Sequence, residues 1–143
     1  MAGTYSIHPN VALAMLQAFA TQLGNGAKIK FYNGTMPASA AAALSGNTLL
    51  LTLAASATPI SGYSDTGTAK RATWAAIASA AVAATGTAAF YRVEDSAGNV
   101  IEQGKVGLSG DNPTPDIVLS TTAFTAGSTG SLTAKTNDFP YGP

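Results

Sequence analysis

One histidine, seven acidic residues and no cysteine are all that this chain offers for general acid–base, nucleophilic or metal chemistry. His8 stands beside Pro9 with no serine–acid arrangement around it, and a single histidine cannot form a histidine metal cluster. It reads as a surface or interface residue rather than a general base. The acids are Asp65, Glu94, Asp95, Glu102, Asp111, Asp116 and Asp138. Glu94 and Glu102 flank one hairpin and could face each other across it. A glycosidase pair, however, needs a cleft and supporting aromatic or polar groups, which no pattern here supplies. Asp95 in "DSAGN" and Asp111 and Asp116 in "SGDNPTPD" fit turns, since Asp and Asn favour such corners. A calcium loop needs alternating oxygen ligands and a distal glutamate.

The stretch "GNGAKIKFYNGTMPAS" (24–39) combines glycine with lysine and so invites a phosphate-binding reading. A P-loop needs four residues between its glycines, then Lys-Ser/Thr, after a strand and before a helix. Here a helical pattern comes before Gly24 and a strand pattern after it, the reverse order, and a dinucleotide fingerprint fails for the same reason. Asn33-Gly34-Thr35 matches a glycosylation acceptor only by chance if no secretory signal precedes it. Lys70-Arg71 is the one adjacent basic pair. Together with Arg92, it is expected to meet acidic groups of a partner or of the same sheet. No catalytic constellation emerges; the expectation is a protein that is not an enzyme and needs no cofactor or metal.

Composition points the same way. Seven basic residues balance seven acidic ones, so no field attracts nucleic acid or an acidic membrane. Only 10% of the 143 residues are charged, against about 25% in ordinary soluble domains. Alanine, threonine, serine and glycine take their place, giving a surface suited to being covered by other protein. No segment has the roughly 20 apolar residues that span a bilayer. The opening "MAGTYSIHPN" lacks a basic run, so the expectation is cytoplasmic synthesis and assembly without a secretory signal.

The elements that would carry such a surface follow from periodicity. Residues 1–8 read as an extended arm and 10–23 as a helix, with Asn10 or Ser6 as cap and Gly24-Asn25 as stop. Val11, Leu13, Met15, Leu16, Phe19 and Leu23 leave that helix apolar nearly all round. Such a helix either meets its own sheet on one side and a neighbouring subunit on another, or caps an open end of the core. Period-two patterns then predict strands in "AKIKFYN", "TLLLTLA", "AKRATWAAI", "TAAFYRVED", "NVIEQGKVG", "DIVLS", "TAFTAG" and "SLTAKTN". "SATPISGYSDTG" reads as a loop, "ASAAAALSG" as a connection and "ASAAVAATG" as strand. The hairpin through "DSAGN" is the clearest local signal. The expected fold is mainly β. It is a β-sandwich or jelly-roll-like domain of about 7–9 short strands within residues 9–136, ending in a tail at 137–143.

The order of a helix, "GNGAKIKFYNGTMPA", "ALSGNTLL" and "ATGTAAFYRVEDSAGNVI" resembles a group of small virion proteins of tailed bacteriophages. The resemblance spans about residues 10–135 and is one of strands and turns, not of a catalytic signature. It implies a capsid cement or decoration subunit on the capsid exterior, assembled in the host cytoplasm. Its partners would be the major capsid protein and further copies of itself, as a dimer or trimer, with neither nucleic acid nor membrane. Many weak contacts would add through multivalency. Apolar residues near the chain ends, Tyr5, Ile7, Phe139 and Tyr141, are the candidate anchors, with His8, Lys70 and Arg71 beside them. The alternative is a tail or fibre-associated module contacting a host-surface receptor, for which Tyr63 is the best-placed aromatic residue.

Overall fold

The computed structural model describes residues 5–142, and it is mainly β, with 38% of residues in strands and 11% helical. The helix α1, Pro9–Leu23, comes first. Its cap is His8, whose Nδ1 accepts from the backbone N–H of Asn10 at 3.2 Å. Neither Asn10 nor Ser6 takes that role, because Pro9 occupies the first turn, where its missing N–H costs nothing. Gly24, with φ +59°, ends the helix and donates to the carbonyl of Ala20.

The strands that follow are β1 (Lys28–Tyr32), β2 (Leu49–Ala54), β3 (Ile60–Asp65), β4 (Ala69–Trp74), β5 (Ala80–Ala81) and β6 (Gly86–Thr87). The second half contains β7 (Phe90–Glu94), β8 (Val100–Leu108), β9 (Ile117–Leu119), β10 (Ala123–Phe124), β11 (Thr129–Gly130) and β12 (Thr136–Pro140). A five-stranded sheet has the order β2-β1-β7-β8-β9, antiparallel except for the parallel β8–β9 pair. A second sheet has the order β12-β4-β3, and two-strand ribbons join β10 to β6 and β11 to β5.

One core lies within these curled sheets, giving a sandwich-like domain. Ile29, Phe31, Leu51, Leu53 and Val93 enter it from the larger sheet, and Ala72 and Trp74 from β4. Leu16 and Leu23 join it from α1, which packs against β4 and β12 and touches β8. The "DSAGN" hairpin forms as expected. Asp95 Oδ1 accepts from the N–H groups of Ala97 and Asn99, and Gly98 takes φ +88°.

Several expectations are corrected. Among the described residues twelve strands form rather than about seven to nine, because the Ala/Thr/Gly stretches pair as two-residue ribbons. Within 56–67 lies a strand, β3, whose register shifts between Ile60 and Gly62. Its residues after Ile60 are mostly exposed and polar or small, so no period-two apolar pattern marks it. In "SLTAKTN" the strand begins only at Thr136, and "ASAAVAATG" is strand only at Ala80–Ala81 and at Gly86, where β6 begins. Residues 137–140 are not a tail: they continue β12 in register against β4, Asn137 opposite Ala72 and Pro140 opposite Ala69. Of the arm, residues 1–4 lie outside the described residues. Ile7 is bound to the fold, its N–H donating to the carbonyl of Tyr141 at 2.9 Å.

Candidate functional site

The outer face of α1 is unlike that of an ordinary surface helix. Its buried side is Ala12, Leu16, Phe19, Ala20 and Leu23, the spacing of one helical stripe. Flanking that stripe on one side lie Val11 and Met15, each about half exposed, with Ala14, Ala18 and Gln22 around them. Tyr5, 83% exposed, stands on the same segment of chain just before the helix. No Asp, Glu, Lys or Arg occurs before Lys28. This face is therefore uncharged as well as partly apolar, where a free surface helix normally carries its charges.

The charges that the chain does possess are mostly tied within it. Lys30 pairs with Glu94 at 2.6 Å, one step diagonally from the Lys30–Arg92 register. Lys70 and Arg71 find acids of their own sheet. Lys70 pairs with Asp65 at 2.7 Å, directly opposite it on β3. Arg71 forks onto Asp138 of β12, with Nε–Oδ1 2.7 Å and Nη2–Oδ2 2.8 Å. The hydrogen bond from Lys70, followed by that from Tyr141, lowers the Asp65 carboxyl to about 2. The Arg71 fork likewise holds Asp138 below the usual carboxylate range.

The sequence-derived anchors thus separate into two groups. Tyr5 is free on the surface, Ile7 is half-buried, and His8 is exposed while capping α1. Phe139 is partly buried against the core. Tyr141 donates its hydroxyl to Asp65 at 2.7 Å and its N–H to the carbonyl of Thr68. The last two are not frayed chain ends: Phe139 lies in β12, and Tyr141, just beyond it, is held by its bonds to Thr68 and Asp65.

Arg92 also departs from expectation. Among the described residues it pairs with no acid; it is buried, donating to the carbonyls of Ala42 at 2.6 Å and Ser39 at 3.4 Å and to Gln103 Oε1 at 3.2 Å. Gln103 in turn donates to the carbonyl of Pro37 at 2.7 Å. These two side chains fasten the alanine-rich connection across the outside of the larger sheet.

Glu94 and Glu102 do not face each other. Glu102 stands opposite Val93, so it points to the core side and Glu94 to the other. There Glu102 joins a buried polar centre with Lys135, Asn137, Trp74 and Tyr91. Lys135 is 6% exposed, and its Nζ is the charge partner of Glu102 Oε1. That nitrogen lies 4.9 Å from the Trp74 ring centroid and 5.4 Å from that of Tyr91. It also donates to Asn137 Oδ1 at 2.9 Å. Trp74 Nε1 donates to the same oxygen at 2.7 Å, and Asn137 Nδ2 donates to Glu102 Oε2 at 2.6 Å. An indole offers only a donor and a carboxylate only acceptors, so the orientation of the Asn137 amide is fixed. Burial lowers the Lys135 pKa against the opposing pull of Glu102 and Asp116. Burial first, then those same two carboxylates, raises the Tyr91 phenol. Gly104 is opposite Tyr91, and a Cβ there would lie 2.7 Å from the ring, so only glycine admits the phenol.

A cleft of about 300 Å³ opens beside β9, lined by Val118, Phe124, Thr129, Ser131 and Leu132 among others. Among the described residues, no three His, Asp or Glu side chains converge as a metal site would require. No described helix is long and apolar enough to cross a membrane. Comparison with family models, curated proteins and solved structures finds no match to this chain.

Proposed function

We propose that this chain is a structural virion protein, a capsid cement or decoration subunit that binds the exterior of a major capsid shell and stabilises it. One observation carries the reading: the exposed face of α1, with Tyr5 beside it, is partly apolar and devoid of charge. Burying Val11, Met15 and Tyr5 against protein removes apolar area without stripping water from a charge, so each contact is favourable at about 25 cal/mol per Å². Elsewhere among the described residues, four ion pairs draw charged groups into internal partnerships, leaving few to repel a neighbouring copy. Many equivalent copies on a repetitive shell convert a modest contact into durable attachment. The resemblance in strand and turn order to small phage virion proteins supports the same assignment.

The second reading, a tail or fibre-associated receptor-binding module, draws on the cleft beside β9 and on Tyr63, 39% exposed on β3. Cryo-electron microscopy of the native particle separates the two. Density on the outside of the shell, at positions contacting the major capsid protein, is the expected result. Density confined to the tail would overturn the cement reading in favour of the second.

A further inference from the structure

The buried centre holds the parts of a reaction as well as of a structural network. Lys135 and Asn137 are two residues apart, and both side chains enter the same centre. The Lys135 amine is 2.9 Å from Asn137 Oδ1, and with a carbonyl bond of about 1.2 Å its distance to the amide carbon cannot exceed about 4.1 Å. A small swing of the lysine end brings it to the near-attack range of about 3–3.5 Å. Trp74 Nε1–H, 2.7 Å from Oδ1, is positioned where negative charge would develop on that oxygen. Glu102 spans both ends of the exchange: Oε1 contacts the amine, and Oε2 accepts from the amide nitrogen at 2.6 Å. Oε1 is buried and makes no well-directed hydrogen bond, which leaves it able to take up a proton.

We propose that Lys135 and Asn137 join spontaneously in an intramolecular isopeptide bond, with Glu102 as the proton shuttle. Nζ of Lys135 gives a proton to Glu102 and attacks the side-chain carbonyl carbon of Asn137. The tetrahedral oxygen is stabilised by Trp74 Nε1–H. Glu102 then delivers a proton to Nδ2, the carbon–nitrogen bond of the amide breaks, and ammonia leaves. The second proton lost from the original ammonium remains on Glu102, so atoms and charge balance with no oxidant or cofactor. The aromatic walls of Trp74 and Tyr91 suit this chemistry, because a desolvated amine is a better nucleophile than a hydrated ammonium. Burial lowering the Lys135 pKa acts in the same direction. The product replaces a buried ammonium with a neutral amide and removes the cost of keeping an ion pair out of water. It links residues only two apart in the chain, so it would leave mobility on a denaturing gel unchanged and is read by mass.

The test uses the full chain, purified and incubated at neutral pH, denatured, and treated with an amine-acylating reagent before proteolysis. The fragment containing residues 131–142 is expected to weigh one ammonia less than its sequence, with Lys135 unlabelled while the other lysines are labelled. In Glu102→Gln, shown to be folded by circular dichroism, formation should be slower by about 100-fold or more. Lys135→Met should retain the ammonia entirely. Wild-type fragment at its full sequence mass with Lys135 labelled would overturn the proposal. So would ammonia loss with Lys135 still labelled, because Asn137-Asp138 can cyclise to a succinimide without the lysine.

Discussion

The two ends of the described chain are built on opposite terms. From Tyr5 to Ala27 no Asp, Glu, Lys or Arg occurs, and the outward residues of α1 are apolar or neutral polar. From Lys135 to Tyr141, by contrast, nearly every side chain has an internal partner. Lys135 meets Glu102, Asn137 meets Trp74, Asp138 meets Arg71, Phe139 meets the core, and Tyr141 meets Asp65. The C-terminal segment closes the fold, and the N-terminal segment presents a surface. Proximity to a terminus therefore says little about role: the deciding matter is whether the backbone finds a strand to pair with, as β12 does with β4.

The comparison can be broken most sharply by side-chain truncation at each end. Phe139→Ala should destabilise the protein by about 2–3 kcal/mol, below the roughly 3–5 kcal/mol of fully buried aromatic truncations because the ring is only partly buried. Tyr5→Ala should change stability by less than about 0.5 kcal/mol, as an exposed residue does. Chemical denaturation of both variants checks the pair; equal losses would erase the distinction.

Arg92→Met should cost about 1–3 kcal/mol, since the carbonyls of Ser39 and Ala42 lose a buried donor. Hydrogen exchange in residues 37–46 should accelerate before the rest of the sheet does. Unaltered exchange there would mean that Arg92 does not hold the connection.

A smaller effect is expected at the exposed Arg71–Asp138 fork. A double-mutant cycle with alanine at each position should give a coupling of about 0.2–1 kcal/mol, the range of surface pairs. Coupling well above that would show the pair to be less solvated than its geometry indicates.

Acid supplies the mildest test. Asp65 has its folded-state pKa lowered to about 2, chiefly by Lys70 and then Tyr141, and Asp138 is lowered by Arg71. With an unfolded value of about 3.9, the carboxylates contribute fully above that pH and lose their contribution as pH falls through the folded values. The thermal midpoint should thus hold steady towards pH 5 and decline between about 4 and 2. Asp65→Asn should make that decline shallower, and an unchanged decline would remove Asp65 from the account.

Much of the fold was legible in the chain's periodicity, because alternation in "AKIKFYN" and "AFYRVED" reports a half-buried strand locally. The helix and its glycine stop were equally local. What was not legible depends on pairings distant in sequence. Nothing around Lys135 distinguishes it from a solvated lysine, since Glu102 and Trp74 arrive from other strands, Glu102 in β8 and Trp74 in β4. Phe139 and Tyr141 looked like free ends because β12 is defined by its register with β4, not by its own pattern. Arg92 offered no sign that its partners would be backbone carbonyls 50 and 53 residues away. The scarcity of charge along the chain and the nearly all-apolar helix 10–23, by contrast, were legible in the sequence, and the functional reading rests on them.

The proposed cement role is tested most directly by co-sedimentation of purified protein with shells assembled from a tailed-phage major capsid protein encoded in the same genome, for wild type and for Val11→Lys with Met15→Lys. Both positions are exposed, so the double variant should fold with stability within about 0.5 kcal/mol of wild type. The account predicts at least about a 100-fold loss of shell binding, because two ammonium groups must be desolvated in the contact. Undiminished binding by the folded variant would contradict the assignment of this face as the contact surface.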